Sequence, residues 1–199
     1  EPIAVAYAAA VAREALGKFP EHIDLRCSAN IIKNVKSVTV PNTGGLKGIA
    51  AAAIAGTVGG DASKKLEVLQ NVEKSQISLI NQMVKKNICS ATLAEGMEGL
   101  YIDVKLISKE NWARVIVERT HTGITKIEKN GIVIFDEKEK KADESLGIKA
   151  GRELYKLLSV RDIWDFARNF SLEDLKDILD RQIEMNSAIA EEGLVGDYG

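Results

Sequence analysis

The sequence predicts an α+β fold: N-terminal helices with short strands, a central mainly antiparallel sheet with a hairpin, and C-terminal helices. Three observations carry the prediction. Residues 2–16 are dominated by alanine, the best helix former, with Pro2 in the first turn and Gly17 as a stop. Residues 88–135 hold several strand-like runs around an Asn130-Gly131 pair, the strongest short hairpin signal. Residues 160–169 and 172–191 return to helical spacing.

Between these landmarks, residues 21–27 alternate. Ile23, Leu25 and Cys27 fall on one face, and His22, Asp24 and Arg26 on the other, which describes a half-buried strand. Residues 37–40 are a second short strand candidate, ended by Pro41. Residues 44–60 hold six of the chain's 16 glycines around an alanine run, a small-residue helix flanked by loops. Helices are expected at 63–70 and 74–86. Strands follow at 88–93, 100–107, 112–119, 124–128 and 132–135. Residues 136–144 carry mixed charge of both signs and read as a solvated loop. Ser171 caps the last helix, with Asp174 at capping-box spacing. The division expected is an α+β portion over 1–137, a charged linker over 138–150 and a helical segment over 151–199.

Composition narrows the function. With 27 basic and 29 acidic side chains the formal charge is −2, so the basic excess of a nucleic-acid protein is missing. Hydrophobic residues make up 45% and charged ones 28%, as in an ordinary globular chain. The longest apolar runs are too short to span a bilayer, and the expectation is a cytoplasmic protein, with a homo-oligomer left open. Two cysteines form no disulfide scaffold and are too few for a structural zinc site. The chain begins Glu-Pro-Ile without Met or signal pattern and reads as cut from something longer.

No phosphate loop, dinucleotide fingerprint or nucleophile elbow is present: Lys47 is followed by Gly48, where a phosphate loop needs a hydroxyl. His22 falls on the polar side of its strand and reads as solvated. His121, in Arg119-Thr120-His121-Thr122-Gly123, falls where one strand ends and the next begins, a place where side chains gather at a sheet rim. Ser28, Asn30, Lys33 and Asn34 form a polar knot just after the first strand, where α/β-type folds hold anionic ligands. The turn Pro41-Asn42-Thr43-Gly44-Gly45 has glycines that let backbone amides approach a ligand. Cys27 and Cys89 read as small buried hydrophobes.

Several segments together resemble one family. They are Glu1-Pro2-Ile3-Ala4-Val5-Ala6, Ser28-x-Asn30-x-x-Lys33-Asn34, Val40-Pro41-Asn42-Thr43-Gly44, His121-Thr122-Gly123-Ile124 and Asn186-Ser187-Ala188-Ile189-Ala190-Glu191-Glu192-Gly193-Leu194. In order and extent the chain resembles the N-terminal half of the L-cysteine desulfidase family, related to the α-type domain of iron–sulfur L-serine dehydratases. The resemblance implies a lyase that performs α,β-elimination on L-cysteine, giving pyruvate, ammonia and sulfide, without pyridoxal phosphate. L-Serine deamination, or a non-catalytic module binding an effector amino acid, are the alternatives. A 4Fe–4S cluster would act as Lewis acid toward the leaving sulfur. Its ligands would lie outside this chain, the first just before Glu1 and the rest in a C-terminal half, so no metal ligand is expected here.

By the same resemblance, Ser28, Asn30, Lys33, Asn34, Thr43, Gly44 and Thr122 would bind an amino-acid substrate, and His121 would assist proton transfer. Two positions depart from the family pattern. Asn42 replaces a glycine, a mild change because Asn tolerates φ > 0. Gly123 replaces an asparagine, which removes one amide contact.

Overall fold

Alanine builds the centre of the fold. Small side chains let helix α1 (Pro2–Leu16) be approached closely by its neighbours, and Ala4 through Ala10 are all buried along it. Gly17 ends α1 in the left-handed conformation, at φ 77°, and its N–H donates to the Arg13 carbonyl. The computed structural model describes residues 1–140 and 157–196. The chain divides into two units, residues 1–143 and 144–199.

In the first unit the chain runs from α1 to strand β1 (His22–Cys27), helix α2 (Ala29–Val35) and helix α3 (Ile49–Gly59). A 3-10 turn (Ala62–Glu67) and helix α4 (Lys74–Lys85) precede β2 (Cys89–Leu93), β3 (Tyr101–Ser108), β4 (Asn111–Glu118), β5 (Ile124–Lys129) and β6 (Ile132–Asp136). A single helical turn, α5 (Glu137–Lys140), follows. The six strands form one sheet in the order β2-β1-β3-β4-β5-β6, in which β1 and β2 are parallel and every other pair is antiparallel. The α+β class is therefore as the sequence predicts.

Three local expectations are corrected. Residues 37–40 make no strand but a single bridge, Thr39 to Lys47, because Pro41 cannot donate and the chain turns back at once. Residues 63–70 make a 3-10 turn instead of an α-helix, broken at Lys65, where φ is 51° and ψ −110°. The Ser171 side chain makes no cap bond. The reciprocal capping box forms at Ser159 and Asp162 instead, where the spacing also matches. At the β5–β6 turn Asn130 and Gly131 take φ 51° and 84°, the left-handed pair that matches strand twist in a two-residue hairpin.

One sheet face is apolar. Ile23, Leu25, Ile102, Val104, Leu106 and Val115 are buried there, and α1 contacts β3, β4 and β5. On its other side α1 meets α3 almost backbone to backbone. A Cβ built on Gly56 would stand 2.0 Å from the Ala6 carbonyl oxygen, so only glycine fits. Gly60 meets Ala10 one helical turn further on.

The second unit contains α6 (Val160–Asn169) and α7 (Leu172–Val195), neither of which has a buried residue. The Phe166 and Phe170 rings stack with centroids 5.2 Å apart. The expected linker lies outside the described residues from position 141 onward, and so does the start of the expected helical segment. Among the described residues no helix is long and apolar enough to cross a membrane.

Candidate functional site

The residues singled out from the sequence fall in two places. The first is one end of the sheet. The Ser28 N–H donates to the Tyr101 carbonyl (3.0 Å), and the Arg119 N–H donates to the Leu100 carbonyl (3.1 Å). The start of α2 and the 119–123 turn therefore meet at the same end of β3. Ser28 is buried, and its hydroxyl donates to the Gly99 carbonyl at 2.7 Å. Helix α2 buries Ile31 and Val35 and leaves Asn30, Lys33 and Asn34 exposed. Asn34 Nδ2 donates to the Glu1 carboxylate at 2.9 Å, which ties the exit of α2 to the start of α1.

In the 119–123 turn, Thr120 N–H donates to the Glu118 carbonyl (2.7 Å) and Gly123 N–H to the Thr120 carbonyl (3.0 Å). His121 is exposed and Thr122 half-buried. A Cβ on Gly123 would stand 2.4 Å from the Glu118 carbonyl oxygen, so the turn requires glycine at that position.

Thr43 and Gly44 lie elsewhere, at the tip of the 38–48 loop. Thr43 is fully buried and donates to the Val40 carbonyl at 2.7 Å. Asn42 takes φ 56° and donates through Nδ2 to the Leu69 carbonyl at 2.9 Å. Gly44 faces Ile77 of α4. These contacts run to α4 and the 69–70 segment, not to α2.

A second polar surface went unmarked in the sequence. On the sheet face away from α1, register sets Asp24 beside Lys105, Arg26 beside Asp103 and Lys105 beside Arg114. Asp103 is only 3% exposed and is held by Arg114 through two bonds, Nε to Oδ1 (2.8 Å) and Nη2 to Oδ2 (2.7 Å). Arg114 Nη1 also donates to Glu128 at 3.3 Å. The bonds to Asp103 push the guanidinium further toward its charged form. The Lys126 ammonium, 2.6 Å away, pulls the Glu128 carboxyl below its ordinary range. Burial, with Asp103 adding to it, raises the Tyr101 hydroxyl. A depression of about 250 Å³ lies among Asp24, Arg26, Asp103, Lys105, Trp112 and Arg114. Alternation in β1, β3 and β4 was the available signal, but it shows only as adjacency once the strand order is known.

The two thiols are not metal-binding groups. Cys27 and Cys89 are buried, and burial pushes each thiol up to about 12, so neither is a thiolate ligand at neutral pH. Among the described residues no group of three His, Cys, Asp or Glu side chains could hold a metal ion.

Comparison with known proteins overturns the resemblance. The chain is similar to the UPF0597 protein of Lachnoclostridium phytofermentans, with 46% identity over 199 residues, all of this chain and 46% of that protein. The UPF0597 proteins of Finegoldia magna and Desulfitobacterium hafniense are 45% and 43% identical over the whole chain, covering 46% and 45% of their lengths. The chain thus spans about half the length of the curated relatives it matches. No protein-family model and no solved structure matches it.

The relatives' names assign no L-cysteine elimination, no serine deamination and no cluster. The desulfidase–dehydratase reading, with its effector-binding alternative, is withdrawn. Its motifs misled for a physical reason. Glu1-Pro2 starts a helix, Pro41-Asn42-Thr43-Gly44 is a left-handed turn and His121-Thr122-Gly123 a tight strand connection, jobs that recur on unrelated folds.

Proposed function

We propose that residues 1–140 bind a small amino-acid-like carboxylate as part of an enzyme, at the sheet end where α2 begins. One observation supports this reading above the rest. Helix α2, which exposes Asn30, Lys33 and Asn34, begins at the sheet end that also carries the His121-Thr122 turn. Ligands collect at such rims because loops there offer side chains on a rigid support.

In this reading the Lys33 ammonium and Asn30 amide bind the carboxylate. The His121 imidazole accepts a proton from the ligand's ammonium group or returns it, with Thr122 beside it. Ser28 and Asn34 position the segment through their bonds to Gly99 and Glu1. Thr43 and Gly44 shape the neighbouring loop. No step runs through a cluster. A cytoplasmic location belongs to the same proposal, supported by two cysteines that are both free.

Backbone NMR titration with a panel of L-amino acids tests it. Saturable shifts centred on residues 28–34 and 119–123 are expected, weakened about tenfold by Asn30→Ala or Lys33→Ala. Shifts that avoid both segments, or affinities unchanged in both variants, overturn the assignment.

A further inference from the structure

We infer that the open face of the sheet holds a binding site for a phosphate dianion, made by Arg26, Lys105 and Arg114. Across the strands Arg26 has Asp103 as its neighbour and Lys105 has Asp24, yet neither cation makes an ion pair within 4.0 Å among the described residues. Both anions are engaged elsewhere. Asp103 is gripped by both forks of Arg114. Asp24 accepts from the Ser90 hydroxyl at 3.0 Å and sits 2.9 Å from His22 Nε2.

Lys105 instead lies over the Trp112 ring, 4.5 Å from its centroid. Arg114 spends one hydrogen on each nitrogen, toward Asp103 and Glu128, which leaves one further donor on each terminal nitrogen.

The depression among these side chains thus carries two unpaired cations and a guanidinium already fixed in place. A site whose anions are spoken for and whose cations are not attracts an anion. A planar guanidinium with donors to spare, flanked by two more positive charges, matches the tetrahedral oxygens and double charge of phosphate better than one carboxylate. The anchoring by Asp103 lowers the ordering cost of binding, because Arg114 need not be immobilised by the ligand. The volume of about 250 Å³ leaves room for a small organic group beside the phosphate, with the Trp112 ring as one wall. The ligand is therefore inorganic phosphate or a small phosphomonoester.

Titration of the 199-residue chain with inorganic phosphate, glycerol phosphate and succinate, at constant ionic strength, tests this. Saturable NMR shifts at the Trp112 indole and at the amides of Arg26 and Lys105 are expected with both phosphate compounds. Tighter binding of the ester identifies a phosphorylated metabolite, and equal binding identifies the free ion. Arg26→Gln and Lys105→Gln should each weaken binding about tenfold without altering the unfolding temperature. Absence of saturable shifts overturns the proposal. So does succinate binding as tightly as phosphate, or wild-type affinity in both variants.

Discussion

The two faces of the sheet are made by the same strands, one residue apart, yet they are held by different forces. On the face toward α1, Leu25, Val104 and Val115 exclude water and need no directional partner. On the opposite face Asp103 is almost as well buried, but it remains there only because Arg114 meets it with two bonds. The apolar face tolerates a change of shape in proportion to volume lost. The polar face responds instead to loss of a particular partner, and it has cations left over.

Truncation on the apolar face should separate the two most sharply. Leu25→Ala, at a side chain 1% exposed, is expected to cost about 3 kcal/mol in chemical denaturation. A cost below about 1 kcal/mol would mean that the face is not the core. On the polar face Arg114→Met keeps the volume and strands the Asp103 carboxylate. A loss of about 2 kcal/mol is expected in chemical denaturation, and a loss under about 0.5 kcal/mol would show that the pair contributes nothing to stability.

A third effect shows only in alkali. Cys27 and Cys89 keep their protons when folded up to about 12, while unfolded thiols lose theirs near the ordinary value. The folded state therefore binds more protons in that window, and stability falls as pH rises through it. Replacing both cysteines with alanine should flatten that fall, and an unchanged slope would show that the thiols contribute nothing.

Much of the architecture was legible in the chain. Helix α1, the alternation of β1 and the Asn130-Gly131 hairpin each rest on local chemistry, and each formed as read. The insertion of β1 between β2 and β3 was not legible, because strand order is decided by packing between segments distant in sequence. The same limit hid the open-face cluster: Asp24, Lys105 and Arg114 come from three strands and touch no common motif. At the sheet end, the polar residues of α2 and the His121 turn could be found from their positions beside strand ends. The committed bonds of Ser28 and Thr43 could not, since a hydroxyl's partner is set by whichever carbonyl the fold brings near.

The close crossing of α1 and α3 has an electrostatic consequence. Gly56 meets Ala6 and Gly60 meets Ala10, so both contacts advance by one turn in the same direction and the helices run parallel. Their peptide dipoles add instead of cancelling, and each contributes roughly half a positive charge at its start. The starts lie at Glu1 and Gly48, and no side chain caps either helix. The backbone itself therefore adds positive charge at the Glu1–Asn34 end of the fold, where the Glu1 carboxylate offsets part of it.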